Sequence, residues 1–186
     1  MLETIRAIDE AILLFIQDNV RCGLLTPVMK AASWLGDYGK VWILLAVILL
    51  LFDRTRRAGF DLGVCILLPW SISEFLLKNL IGRVRPYLVV DGLELIVRPL
   101  SSFSFPSGHA CASFAAATAL TCIYGKKGAW AFLPAAIIAL SRPYVGIHYF
   151  TDILAGAIVG SLGAMLAYWL SHRFIRSDMR IHKKEK

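Results

Sequence analysis

Residues 152–170, DILAGAIVGSLGAMLAYWL, form an apolar stretch whose one charged residue, Asp152, stands at its first position. A helix needs about 20 mostly apolar residues to cross the hydrocarbon core of a bilayer, and this stretch has nearly that length. Gly156 and Gly160 lie one helical turn apart, a spacing that lets two helices pack closely in lipid. The stretch therefore predicts a membrane-spanning helix with a packing face of small residues.

Similar apolar runs fill most of the chain. Its 186 residues are 58% hydrophobic and have a mean hydropathy of +0.65, whereas about half of the residues in a soluble domain are apolar. We predict membrane spans at approximately 36–52, 59–81, 107–124, 128–143 and 150–172. The predicted fold is all-α: a polytopic membrane helical bundle of five to six transmembrane helices in a single domain, residues 1–186.

The N-terminal segment, residues 1–35, differs from the predicted transmembrane core at 36–172. In IRAIDEAILLFIQDNV, residues 5–20, acidic and amide side chains are mixed with Ile and Leu at helical spacing. This pattern favours an amphipathic helix at the membrane interface over a sixth span. The following LLTPVMKAASWLGDYG, residues 24–39, predicts a second short helix that leads into the first span.

The formal charge of +7 is concentrated at the ends of the predicted spans. Basic residues follow the first, third and fifth spans, at Arg54, Arg56, Arg57, Lys126, Lys127 and in the tail 173–186. With five spans these positions share one side of the plasma membrane, which the positive-inside rule makes cytoplasmic. The loops at 82–106 and 143–149 then face the extracytoplasmic side. Basic clusters beside spans favour anionic lipid headgroups over nucleic acid as a partner.

Ionisable residues occur at the outer end of the second predicted span. Glu74, Lys78 and Arg85 lie on related helix faces, and a charged side chain inside a span costs roughly 2.5–3.5 kcal/mol. A functional role is therefore expected, with Glu74 as the partner of Lys78. The alternative is that the basic side chains extend to the membrane interface, which suits Arg83 better than Arg85.

PSGH, residues 106–109, closes the outer loop and opens the third predicted span. Free backbone N–H groups and the positive end of the helix dipole make such a helix start an anion site, here at Ser107 and Gly108. His109 would then lie in the first turn, beside the bound anion. Taken alone, the serine could also be an ordinary helix cap and the histidine a structural residue.

SRPYVGIHYFTD, residues 141–152, connects the fourth and fifth predicted spans. Asp152 follows His148 by four residues, so if the chain turns helical near His148, Asp152 can hydrogen-bond one imidazole nitrogen and fix the tautomer. The other nitrogen is then free to act as a nucleophile. Arg142 ends the preceding helix and brings a cation to the same junction.

The combined set indicates a phosphate site. Two His and one Asp could ligate zinc, but three nearby cations, Lys78, Arg85 and Arg142, would oppose a metal ion. The two arginines can instead bind a phosphate group through paired N–H donors, and Lys78 adds a compact charge. We therefore expect no metal and no cofactor.

The motifs KNLIGRVRP, PSGH and SRPYVGIHYFTD resemble the three motifs of the type 2 phosphatidic acid phosphatase superfamily, K-x6-R-P, P-S-G-H and S-R-x5-H-x3-D. They agree at every motif position, in order, over residues 78–152. The resemblance implies an integral-membrane, metal-independent phosphatase with a helical-bundle core. Members of the family typically have six spans.

The resemblance also implies residue roles. His148 would be the nucleophile that forms a phosphohistidine, Asp152 its orienting partner, and His109 the general acid and later the base that activates water. The phosphate-binding set would be Lys78, Arg85, Ser107, Gly108 and Arg142.

A site at the outer membrane surface lets a lipid phosphate enter sideways while its chain stays in the bilayer. The compact chain resembles small bacterial family members that convert undecaprenyl pyrophosphate to undecaprenyl phosphate, which we take as the expected reaction. Phosphatidylglycerophosphate, phosphatidic acid and diacylglycerol pyrophosphate are alternative substrates. A lipid phosphotransferase and an anion transporter are alternatives of other classes, although polar residues confined to one membrane face disfavour a transport pathway.

Overall fold

The computed structural model describes the backbone of residues 2–182 and the side chains of residues 3–173. Within these residues the chain is helical and contains no β-strand, which confirms the all-α prediction. The α-helices are α1 (Leu2–Phe15), α2 (Leu25–Gly36), α3 (Lys40–Leu51), α4 (Arg56–Ser71), α5 (Lys78–Ile81), α6 (Gly108–Tyr124), α7 (Phe132–Tyr144) and α8 (Phe150–His182). The end of the predicted basic tail, residues 183–186, lies outside the described residues.

Three helical segments in the described part of the chain are long and apolar enough to cross a membrane: Leu25–Leu51, Arg56–Leu88 and Phe150–Arg173. The helices α6 and α7 are shorter, with 17 and 13 residues, so the total of five to six spans stays a prediction. The first segment begins at Leu25 because α2 leads into α3 through a single turn, Asp37–Gly39.

Helix α6 lies at the centre of the bundle, where it packs against α4, α7 and α8. It is rich in Ala, Gly, Ser and Cys, whose small side chains let neighbouring helices approach closely. A Cβ atom at Gly156 of α8 would lie 2.5 Å from the Ser107 carbonyl oxygen, and one at Gly160 would lie 3.0 Å from the Cα of Cys111. The prediction that these glycines serve close helix packing is confirmed.

Between α4 and α5 the helix widens into a π-helical stretch, Ile72–Leu77. Such stretches often occur at functional sites. This one contains Glu74 and ends immediately before Lys78, so it belongs to the part of the helix that carries the predicted site residues. Gly82, with a φ of 61°, ends the helix, and the chain continues as a loop to α6.

Helix α1 buries a carboxylate, which the amphipathic pattern did not anticipate. Asp9 and Leu13 are both 0% exposed, and Leu13 packs against Val90 of the loop and Tyr149. Elsewhere on the helix Ile5 and Ile8 are exposed. Helix α1 is thus held against the rest of the chain by the buried carboxylate of Asp9 as well as by the apolar contacts of Leu13. Its position at the membrane interface remains a prediction.

Candidate active site

A cavity of about 460 Å³ lies where the ends of α4 to α8 meet. Six of the eight predicted site residues line it: Lys78, Arg85, Gly108, His109, Arg142 and His148. The other two, Ser107 and Asp152, are fully buried. The backbone N–H of Ser107 donates to the Asp152 carbonyl oxygen at 3.0 Å, which links the start of α6 to the start of α8.

His148 and Asp152 form a buried pair. The Nδ1 atom of His148 is 3.3 Å from Oδ2 of Asp152, which also accepts the backbone N–H of Tyr149 at 3.0 Å. A carboxylate only accepts hydrogen bonds, so this contact assigns the proton to Nδ1 and leaves a lone pair on Nε2. Burial lowers the pKa of His148, so the ring is neutral near pH 7. The pair therefore presents a neutral imidazole whose Nε2 carries no proton.

Asp152 has further partners that motif reasoning missed. Its Oδ1 accepts from Nη1 of Arg83 at 2.7 Å, and its Oδ2 accepts the Ser104 hydroxyl at 2.5 Å. Arg83 also donates to Oδ2 of Asp9 at 2.8 Å, and its guanidinium stacks on the Tyr149 ring at 3.8 Å. The alternative in which Arg83 extends to the membrane interface does not fit these contacts, because its guanidinium binds two buried carboxylates.

Arg85 is held by the loop that precedes α6. Its guanidinium donates to the Ser102 carbonyl oxygen at 2.7 Å, to the Phe103 carbonyl oxygen at 3.1 Å and to the Ile147 carbonyl oxygen at 3.1 Å. Its Nη1 also lies 3.3 Å from Nε2 of His148. These contacts place a fixed positive charge beside the nitrogen that carries the lone pair.

Lys78 and Arg142 supply the remaining cations. Lys78 Nζ donates to Oε1 of Glu74 at 2.7 Å, which confirms the predicted pair. Arg142 is 2% exposed and donates through Nη1 to the hydroxyl of Ser33. Its Nε is buried without a hydrogen-bond partner in the described residues. A buried donor of this kind needs an acceptor, and an anion in the adjacent cavity would provide one.

The first turn of α6 adds backbone donors. The Ser107 hydroxyl accepts the N–H of Ala110 at 3.4 Å and caps the helix. Because Gly108 and His109 lie in the first turn, their N–H groups have no partner within the helix. A Cβ atom at Gly108 would lie 2.9 Å from Oε2 of Glu74. Glycine at this position lets the helix start lie close to the Glu74 side chain, which would have to shift to make room for a Cβ atom.

His109 contacts residues from α2 and the turn after it. Its Nε2 lies 3.1 Å from the Ser33 carbonyl oxygen and 3.1 Å from Oδ1 of Asp37. Sequence reasoning missed both partners, because 76 and 72 residues separate them from His109 and neither belongs to a recognisable motif.

The cavity is thus a pocket of three cations, two histidines and a helix start. Two carboxylates, Asp37 and Glu74, also border it. Among the described residues, no cluster of three or more His, Cys, Asp or Glu side chains could hold a metal ion. An arrangement of this kind can hold a phosphate group next to a nucleophilic nitrogen and a possible proton donor.

Comparison with known proteins shows which family the chain belongs to. The model of the PAP2 superfamily matches residues 58–176, a range that contains all three motifs. An undecaprenyl-diphosphatase of Sulfolobus acidocaldarius is 32% identical over 69% of this chain and 63% of its own length, so the chain spans less than two thirds of that relative. A lipid A 4'-phosphatase of Bacteroides thetaiotaomicron is 27% identical over 99% of this chain and 87% of its own length.

A solved structure has the same fold. The first transmembrane PAP2 type phosphatidylglycerolphosphate phosphatase from Bacillus subtilis superposes with a TM-score of 0.72 at 26% identity, over 91% of this chain and 87% of that chain. The family match, the motifs and the shared helical fold agree with one another. The chain therefore belongs to the PAP2 superfamily, and it is a membrane phosphatase of that family.

Proposed function

We propose that this phosphatase hydrolyses undecaprenyl pyrophosphate to undecaprenyl phosphate and inorganic phosphate through a phosphohistidine at His148, without a metal ion. The observation that carries the proposal is the placement of Nε2 of His148 beside Arg85 in a cavity that also contains Lys78 and Arg142. The similarity to an undecaprenyl-diphosphatase supports this choice of lipid.

In the first step, the lone pair on Nε2 of His148 attacks the terminal phosphorus atom. The bond between phosphorus and the bridging oxygen breaks, and its electron pair leaves with that oxygen. Asp152 keeps the proton on Nδ1 and stabilises the positive charge that the ring gains. Lys78, Arg85, Arg142 and the Gly108 N–H bind the phosphoryl oxygens, while Ser107 caps the helix that presents this N–H.

His109 acts in both steps of the reaction. It gives a proton to the leaving oxygen in the first step and takes one from water in the second. The resulting hydroxide attacks phosphorus, the P–N bond breaks, and His148 recovers its lone pair. Acid–base help of this kind typically contributes about 10²–10⁴-fold to the rate when the leaving group is an alkoxide, and less when it is a phosphate oxygen.

We place the active site on the extracytoplasmic side of the plasma membrane and the C-terminus in the cytoplasm. The supporting observation is the distribution of basic residues, which follow the first, third and fifth predicted spans. A lipid substrate can then enter from the outer leaflet while its chain remains in the bilayer.

A second candidate is the hydrolysis of phosphatidylglycerophosphate. It is favoured by the structural match to the Bacillus subtilis phosphatase, which covers 91% of this chain. Phosphatidic acid and diacylglycerol pyrophosphate are related candidates with the same phosphate chemistry. A lipid phosphotransferase differs from all of these, because its phosphate release would depend on an acceptor lipid.

The test compares kcat/KM for undecaprenyl pyrophosphate, phosphatidylglycerophosphate and phosphatidic acid, with purified protein in detergent and excess EDTA. We expect the highest value for undecaprenyl pyrophosphate, inhibition by vanadate, and no release by His148→Ala. A higher kcat/KM for another lipid would mean that this lipid, and not undecaprenyl pyrophosphate, is the preferred substrate. A strict requirement for a divalent metal would overturn the mechanism. Release that needs an added acceptor lipid would indicate a phosphotransferase.

A further inference from the structure

We propose that Asp37, in the turn between α2 and α3, is a positioning residue that keeps a proton on Nε2 of His109 and so directs Nδ1 to the leaving oxygen. The inference rests on the proposed function, in which His109 is the acid and base. Asp37 lies outside the residues 58–176 that the family model matches. It would add a residue from the N-terminal part of the chain to the reaction.

The hydrogen bonds of His109 determine its tautomer. The two partners of its Nε2 are the Ser33 carbonyl oxygen and Oδ1 of Asp37. A carbonyl oxygen and an ionised carboxylate accept hydrogen bonds and do not donate them. Nε2 therefore carries a hydrogen in both protonation states of the ring. Nδ1 has no hydrogen-bond partner among the described residues, so it is the nitrogen that can give or take the catalytic proton.

The charge of Asp37 also decides whether His109 can be protonated at all. The cavity contains the cations of Lys78, Arg85 and Arg142, and each of them disfavours an imidazolium nearby. Asp37 is the carboxylate in hydrogen-bond contact with His109, and its other oxygen lies 3.6 Å from Nζ of Lys40. Loss of the carboxylate would leave a ring that rarely carries the proton it must donate.

The local backbone is shaped for this contact. A Cβ atom at Gly36 would lie 2.7 Å from Cδ2 of His109 and closer still to Cγ2 of Ile138, so glycine there lets α2 pack close to the imidazole. Tyr38, immediately after Asp37, has a φ of 55°, a conformation uncommon for a residue with a side chain. Such conformations persist where surrounding contacts enforce them, and they are concentrated at active sites.

Ser33 connects the same helix end to the phosphate site. Its carbonyl oxygen accepts from His109, and its hydroxyl accepts from Arg142. One turn of α2 therefore contacts both the proposed acid and one of the phosphate-binding cations. The end of α2 thus contributes to the active site.

The test uses two lipids with identical acyl chains and different leaving groups. The leaving group of phosphatidic acid is the alkoxide of diacylglycerol, which needs a proton from the acid. The leaving group of diacylglycerol pyrophosphate is a phosphate, whose oxygen needs little help from a proton donor. We expect Asp37→Asn to lower kcat/KM at least about 30-fold for phosphatidic acid and less than about fivefold for the pyrophosphate. The value of kcat/KM is used because it reports the steps up to the first irreversible cleavage.

Three controls separate positioning from structural damage. Asp37→Glu keeps the carboxylate and should recover part of the lost activity on phosphatidic acid. Asp53→Asn removes an exposed carboxylate that pairs with Arg56, and both substrates should keep their wild-type kcat/KM. In a His109→Ala background, Asp37→Asn should add almost no further loss, because residues that act as one unit are not additive.

Equal losses on the two lipids, or a further full loss in the His109→Ala background, would overturn the role of Asp37. Failure of the proposed function would look different: the wild-type protein would then release no phosphate from any of the lipids, or His148→Ala would keep its activity. If Asp37→Asn does not fold, as judged by size-exclusion chromatography in detergent, Asp37→Glu decides the question. Its longer side chain should reduce kcat/KM more for phosphatidic acid than for the pyrophosphate, and an equal reduction would contradict the proposal.

Discussion

Two histidine–carboxylate pairs face the same cavity, and they are built in different ways. His148 lies just before α8 and Asp152 lies in its first turn, and their side chains are 2% and 0% exposed. His109 and Asp37 are 72 residues apart, and their side chains are 12% and 36% exposed. The first pair is almost fully buried and meets the cavity only through His148, whereas both members of the second pair line the cavity.

The difference matches what each pair is expected to do. A nucleophile has to be oriented before the substrate arrives, and local sequence together with full burial provides that orientation. A general acid has to exchange a proton with substrate and water in every cycle, so it needs access to the cavity. Buried contacts from Arg83 and Ser104 strengthen the first pair, while the second depends on the packing of α2 against α6.

The largest expected effect is at the nucleophile. His148→Ala should lower kcat/KM by more than about 10⁴-fold for every leaving group, because the covalent step is removed. His109→Ala should still form phosphoenzyme from a pyrophosphate substrate, which needs little proton transfer. Trapping radiolabelled phosphoenzyme in both variants checks this contrast, and label in His148→Ala would contradict it.

Asp152→Asn should have the next largest effect. The amide can donate to Nδ1 of His148, which favours the wrong tautomer and removes the charge that stabilises the phosphorylated ring. We expect kcat to fall on the order of 10³-fold with both leaving groups. A loss limited to phosphatidic acid would mean that the two pairs are not specialised as we describe.

Asp9→Asn tests the support behind the buried pair. Asp9 binds Arg83, which in turn binds Asp152, so the change should loosen the orientation of His148 without touching the phosphate ligands. We expect kcat to fall about tenfold, equivalent to roughly 1.4 kcal/mol, and KM to stay within about twofold. Glu10→Gln is the matched control on the same helix, since Glu10 pairs only with the exposed Arg6 among the described residues.

A pH titration gives the smallest expected change. An ordinary imidazole is half protonated near pH 6.5, but burial lowers the pKa of His148, so its nucleophilic form persists in that range. With diacylglycerol pyrophosphate, the single-turnover rate of phosphoenzyme formation should change less than about twofold between pH 7.5 and 6.5. A fall to half or less at pH 6.5 would show that His148 titrates like an exposed histidine.

The local parts of the site could be predicted from the sequence. Sequence spacing was enough to pair His148 with Asp152 and Glu74 with Lys78, because the side chains of residues four apart in or just before a helix can meet. The fold class followed from the apolar runs, whose length and composition are set by the bilayer.

The supporting residues could not be predicted, because they depend on tertiary packing. Asp9 and Asp37 come from the N-terminal part of the chain, and no periodic pattern connects them to Arg83 or His109. The alternative for Arg83 had a physical basis: a long basic side chain near a span end normally extends to water unless buried carboxylates bind it. Only the packed structure supplies those carboxylates.

The contact of α8 with α6 through Gly156 has a consequence for the working of the enzyme. At this contact the backbones of the two helices lie close together; the proposed nucleophile, His148, lies two residues before α8, and the proposed anion-binding N–H groups begin α6. Their separation is therefore fixed by steric contact between backbones, with no flexible side chain between them. We expect the substrate lipid, and not these two helices, to move during turnover. The distance from the nucleophile to the phosphate site should then be insensitive to bilayer tension and lipid composition.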